Sequence, residues 1–120
     1  MDILYRQSLL FDCYGELLTK KQREVFRLHL QEDWSLGEIG TELKISRQGV
    51  HDALKKGQEA LERYEEKLHI VERYLSLSDD FLELKASLKG TNLKKAITFE
   101  KKLRGLLGAS EGTPAEKHEA

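Results

Sequence analysis

The chain has 120 residues, with 20 lysines and arginines against 21 aspartates and glutamates, a formal net charge of −1. With 39% hydrophobic and 34% charged residues, it is too apolar for a disordered polymer and more charged than the roughly 25% of an ordinary globular domain, which suits one core with exposed helical appendages. One cysteine, Cys13, excludes an intrachain disulfide and a multi-cysteine metal cluster.

The opening stretch is broken by Asp2, Arg6, Asp12 and Glu16, so it has no signal-peptide core. No later run approaches the roughly 18 apolar residues of a membrane span. A soluble cytoplasmic protein without membrane insertion is expected. Apolar residues recur at three-and-four spacing along most of the chain and the one proline is Pro114, which predicts helices throughout and no strand.

The first helix is expected over residues 3–17, with Leu4, Leu10, Phe11, Tyr14, Leu17 and Leu18 as apolar contacts and Gly15 weakening its end. Cys13 lies among them and reads as packing rather than as a nucleophile. Thr19 followed by Gln22 has the form of a capping box, in which each side chain satisfies a backbone donor at a helix start. That second helix carries Val25, Phe26, Leu28 and Leu30 and is expected to stop near Glu32 or Asp33.

Ser35 and Glu38 repeat the capping box, and Trp34 and Ile39 occupy the positions of a hydrophobic staple. The third helix, residues 36–43, is short. Lys44 and Ile45 follow, and Ser46 offers the N-cap of a fourth helix, with Ile45 and Val50 again in staple positions. Two helices joined by a turn of about three residues form a helix-turn-helix.

From Val50 the positions Leu54, Gly57, Leu61, Tyr64, Leu68, Val71 and Leu75 follow at alternating steps of four and three. This heptad seam predicts a fourth helix that runs on as an arm of about 45 Å if unbroken. A further start is expected at Ser78-Asp79-Asp80 and a break at Gly90-Thr91-Asn92. A last basic helix carries Leu93, Ile97, Leu103 and Leu107 and ends at Gly108. The expected organisation is all-α: a helix-turn-helix domain over 1–62, a long helical C-terminal extension over 63–108 and a disordered tail over 109–120. The arm needs a partner, either residues 81–107 folding back or a second chain, and a homodimer is the favoured reading.

In a helix-turn-helix the second helix lies in the major groove while the first braces it. Leu36, Ile39, Leu43, Ile45, Val50, Ala53 and Leu54 are assigned inward, and Gly40 is placed where the two helices cross. Arg47, Gln48, His51, Asp52, Lys55 and Lys56 are then left as the candidate nucleic-acid-binding residues, able to meet base edges or phosphates. Gly49, taken as outward, reads either as a close approach to a phosphate or as a loosely specified helix. The charge distribution agrees: Lys44, Arg47, Lys55 and Lys56 face only Asp52 over residues 43–58, although acidic groups prevail on either side.

A second basic island spans 85–104, with Lys85, Lys89, Lys94, Lys95, Lys101, Lys102 and Arg104 against Glu100. It reads as a solvated face or, through Lys94, Lys95, Lys101, Lys102 and Arg104, as a second phosphate-contacting surface. His29, His51, His69 and His118 fall at no helical pair spacing, so no metal site is expected. Trp34 reads as the staple rather than as a binding platform. There is no glycine-rich loop, nucleophile elbow or isolated carboxylate pair, so neither catalysis nor a cofactor is expected.

The stretch LLTKKQREVFRLHLQEDWSLGEIGTELKISRQGVHDALKKGQEAL, residues 17–61, resembles region 4 of bacterial sigma factors and related response-regulator domains. Over a longer span, roughly 8–105, LLFDCYGELLTKKQ, LQEDWSLGEI, ISRQGVHDALKK and LERYEEKLHI resemble the YlxM-like family of bacterial helix-turn-helix proteins. That resemblance implies duplex DNA as a partner and a regulatory role. It also implies a link to the signal recognition particle, because the family's genes lie beside that of the particle's GTPase; a non-catalytic adaptor for the particle's protein or RNA is the alternative. Lys44 departs from the glycine common in such turns, and Gly49 and Gly57 lie inside the fourth helix, each lowering helix propensity by about 1 kcal/mol relative to alanine.

Overall fold

A computed structural model describes residues 2–106. Leu107, Gly108 and the expected tail over 109–120 lie outside the described residues. Among the described residues there are six α-helices and no strand, so the all-α reading stands. It divides into two compact units between Leu68 and His69.

The first unit opens with α1 (Ile3–Tyr14), whose start is capped by the Asp2 carboxylate accepting from the Tyr5 N–H at 3.2 Å. It ends three residues earlier than its apolar pattern, because Gly15–Leu17 tightens into a single 3₁₀ turn. Leu18 then returns its N–H to the Gly15 carbonyl. The Thr19–Gln22 capping box is present in both directions and starts α2 (Lys20–Phe26).

Helical backbone continues past Phe26, but as a π-helical turn over Arg27–Gln31, with the Glu32 N–H bonded to the Arg27 carbonyl. Asp33 then takes a left-handed conformation, φ 60°. Asp tolerates that region better than most residues, since its short polar side chain bonds locally. Helix α3 (Leu36–Leu43) starts at the second capping box, Ser35 with Glu38. It closes at Lys44, φ 61°, with the Lys44 and Ile45 N–H groups both returning to the Gly40 carbonyl. Ser46 caps α4 (Arg47–Leu68) by accepting the Gly49 N–H at 2.9 Å.

The core forms around α4. Val25, Leu28, Ile39, Val50 and Ala53 are buried together, and Trp34, Leu36, Leu43, Ile45 and Leu54 pack onto them. Further along α4, Leu61 is fully buried, as are Leu10 and Tyr14 of α1; the Phe11 ring stacks on Phe26 with centroids 5.6 Å apart. Gly57 lets the Phe26 ring lie on the α4 backbone, for a Cβ there would stand 2.5 Å from Phe26 Cε1. At the far end Tyr14 Oη donates to Glu65 Oε1 at 2.6 Å, and Arg6 grips Glu62 with two nitrogens at 2.7 and 3.2 Å. That pairing holds the Arg6 pKa above its ordinary value. Burial pushes the half-buried Cys13 thiol up, against nucleophilic chemistry at neutral pH.

Two expectations about the arm fail. Helix α4 ends at Leu68, and His69 adopts a left-handed conformation, φ 56°, with its Nδ1 3.1 Å from Glu72 Oε1; the seam is not one continuous helix. Its first half is not free either, since Val50, Gly57 and Leu61 belong to the unit's own core. A charge at Leu61 would unfold this unit rather than dissociate a dimer, because it would be buried there.

In the second unit, α5 (Ile70–Ala86) runs through Ser78-Asp79-Asp80 without a break, contrary to expectation. After Ser87–Lys89, α6 (Gly90–Gly105) begins at Gly90, whose φ of 59° favours glycine. Phe81 meets Phe99 with ring centroids 5.9 Å apart, and Lys85 Nζ reaches Glu100 Oε1 at 2.8 Å.

Candidate nucleic-acid interface

Helix α3 holds the first half of α4 from behind. Gly40 is the point of closest approach: a Cβ there would lie 2.7 Å from the Ile45 carbonyl oxygen and 3.6 Å from the Arg47 nitrogen. Any larger residue would push the turn away from the helix it follows. With Val50 fully buried and Ala53 nearly so, the 3.6-residue period sends the intervening residues outward.

Arg47, Gln48, His51, Asp52, Lys55 and Lys56 are all exposed, and α4 brings them onto one side of its first three turns. Gln48 Nε2 donates to Asp52 Oδ1 at 3.1 Å, one helical turn away. His51 Nδ1 lies 3.8 Å from the same carboxylate oxygen, an ion pair only when the imidazole is protonated. Asp52 thus orients its neighbours and tempers the positive charge of this face, while Arg47, Lys55 and Lys56 present theirs at its edges.

Gly49 is not part of the outer face. It is half-buried, and its missing Cβ points toward Ser46 Oγ at 3.2 Å and Ile45 Cβ at 3.8 Å; its place is against the cap, where a side chain would press on the turn. Lys44, exposed and held in the left-handed turn immediately before the helix, is a cation that periodicity did not mark for the site. Its only signal was its place in the same basic island.

The second basic set lies in the other unit. Lys94, Lys95, Lys101, Lys102 and Arg104 are all exposed on α6. Thr91, Lys94, Lys95, Thr98 and Lys102 line one shallow trough with Phe99. Lys85 leaves this set, since its ammonium is paired with Glu100. Among the described residues no three His, Cys, Asp or Glu side chains come together to hold a metal ion, and no helix is long and apolar enough to cross a membrane.

Two capped helices, a three-residue turn and a second helix presenting polar and basic residues away from the core define a helix-turn-helix protein. A sequence profile of the family described as "Putative helix-turn-helix protein, YlxM / p13 like" matches residues 1–103, and the chain belongs to that family. It is 43% identical over 103 residues to the UPF0122 protein of Acetivibrio thermocellus, covering 86% of this chain and 88% of that one. The UPF0122 protein of Caldanaerobacter subterraneus is 49% identical over 84 residues, 70% of this chain and 71% of its own. That of Listeria welshimeri is 45% identical over 87 residues, 72% and 79% of the two chains.

Proposed function

We propose that this protein is a cytoplasmic, non-catalytic DNA-binding regulator that reads duplex DNA with the first three turns of α4. The observation that carries the reading is the two-sidedness of that helix: Val50, Ala53 and Leu54 are locked against α3 and its turn, while Arg47, Gln48, His51, Asp52, Lys55 and Lys56 are exposed together. A rigidly held helix with polar side chains on its free face suits the major groove, as in region 4 of sigma factors. Arg47 and Gln48 stand in the first turn, where a recognition helix meets base edges. Lys55 and Lys56 stand farther along, where a cation meets the phosphate backbone. Acting as a homodimer, the protein would set two such helices about 34 Å apart and read an inverted repeat.

The test separates base from backbone contacts. Arg47→Ala should cost about 1 to 3 kcal/mol at a preferred duplex and relax its specificity. Lys55→Ala should weaken all duplexes alike and flatten the dependence on salt. Fluorescence anisotropy at two salt concentrations measures both. Unchanged affinity in the folded Arg47→Ala, Lys55→Ala double variant rejects the assignment.

A second reading is favoured by the exposure of Lys94, Lys95, Lys101, Lys102 and Arg104 on α6. Here the protein is an adaptor for the signal recognition particle, meeting its RNA phosphates or its protein with that helix. Binding to particle RNA that outlasts the Arg47→Ala, Lys55→Ala change but not neutralisation of Lys94, Lys95, Lys101 and Lys102 would favour this reading over the first.

A further inference from the structure

We propose that Gln48 selects an adenine in the major groove, and that Asp52 sets this choice by fixing which way the Gln48 amide faces. The inference rests on the reading of α4 as the helix that meets DNA, and it names the base that one residue of that helix takes.

The geometry lies within α4 alone. Gln48 is the second residue of that helix and exposed, in the turn where a recognition helix meets base edges. The two ends of an amide are chemically opposite, an accepting oxygen and a donating nitrogen, whereas an ionised carboxylate only accepts. The end of the Gln48 amide that stands 3.1 Å from Asp52 Oδ1 is therefore Nε2. His51 Nδ1, 3.8 Å from the same oxygen, is too far away to take its place. Pairs of this kind at four-residue spacing stabilise a helix. The arrangement recurs farther along α4, where Gln58 Nε2 donates to Glu62 Oε2 at 3.2 Å, so a glutamate can hold an amide in the same way.

With one Nε2 hydrogen given to Asp52, Gln48 offers a groove its Oε1 and the remaining hydrogen, an acceptor beside a donor. Adenine presents the complement, a donor at N6 and an acceptor at N7. Guanine presents two acceptors, cytosine one donor, and thymine one acceptor with a methyl group. Guanine O6 would face Gln48 Oε1, acceptor against acceptor. Turning the amide over to bring Nε2 to guanine would set Oε1 against the Asp52 carboxylate, which is the same conflict moved to the other end. Asp52 thus disfavours guanine in either orientation without touching DNA, and is a positioning residue.

The test compares the full-length protein with Gln48→Ala, Asp52→Asn and Asp52→Glu. Each is measured by fluorescence anisotropy on the duplex enriched from a random pool and on its single-base-pair substitutions. One base pair should matter to the wild type and not to Gln48→Ala, and it should carry adenine, with guanine in its place costing about tenfold in affinity. Asp52→Asn should bring that ratio toward one, because asparagine can donate or accept and tolerates either amide orientation. Asp52→Glu should restore it. Loss of a negative charge strengthens all duplexes alike, so the readout is the ratio and not the affinity. A Gln48-dependent base other than adenine overturns the inference, as does an Asp52→Asn variant that keeps the full ratio or changes preference at a different base pair.

In the free protein, nitrogen relaxation of the Gln48 side-chain amide should show it ordered in the wild type and Asp52→Glu and mobile in Asp52→Ala. Equal mobility in all three overturns the hold. Failure of the underlying reading has its own signature, a folded Arg47→Ala, Lys55→Ala variant that binds duplexes as well as the wild type. If that variant loses binding while no adenine depends on Gln48, only the present inference falls.

Discussion

At Gly57 two preferences of the chain oppose each other. Alanine in a helix interior is favoured over glycine by about 1 kcal/mol, yet a Cβ here would stand 2.5 Å from the Phe26 ring. That ring is nearly buried and stacked on Phe11, so it has little room to retreat, and overpacking of this kind costs about 1 to 3 kcal/mol. Packing should win. Gly57→Ala is expected to destabilise the fold by a net of about 1 kcal/mol, read as a lower urea midpoint, whereas Gly37→Ala, where the nearest atom is Ser35 Oγ at 3.9 Å, should raise the midpoint. A raised midpoint for Gly57→Ala would show that the Phe26 ring is free to move.

Among the elements, the turn between α3 and α4 carries the clearest strain. Lys44 sits at φ 61°, where a residue with a Cβ costs about 1 kcal/mol or more. Lys44→Gly should relieve it, partly offset by the greater freedom of glycine in the unfolded chain, for a net stabilisation of up to about 1 kcal/mol. Thermal unfolding checks this; a lower midpoint would mean that the lysine side chain itself stabilises the turn. This turn was legible in the sequence because each helix start is written in side chains: Thr19 with Gln22, Ser35 with Glu38, and Ser46 all cap as their types require.

Breaks without such marks were not legible. His69 takes a left-handed conformation with no glycine or proline to signal it, and the apolar period runs on through it as though the helix did; the stop near Glu32 and Asp33 was legible because a capping box follows it directly. Periodicity records which side is apolar, not whether the backbone continues. For the same reason Ser78-Asp79-Asp80, which has the composition of a helix start, lies mid-helix in α5. The outward set on α4 was legible because Val50, Ala53 and Leu54 fix the inner face; Gly49 was misplaced because it has no side chain to declare one.

For the whole molecule, a net charge of −1 conceals an arrangement. One exposed basic set lies on α4 in the first unit and another on α6 in the second, with the acidic surplus of the chain placed elsewhere. On the proposed reading the first set meets DNA and the protein acts as a homodimer, so recognition helices come in pairs and sequence preference should have two-fold symmetry. Selection of duplexes from a random pool by the full-length protein tests this most directly. The account predicts an enriched inverted repeat with half-sites about one helical turn apart, or a multiple of that, whose enrichment is lost with Arg47→Ala. Recovery of no preferred sequence, or of one that Arg47→Ala selects equally well, would contradict it.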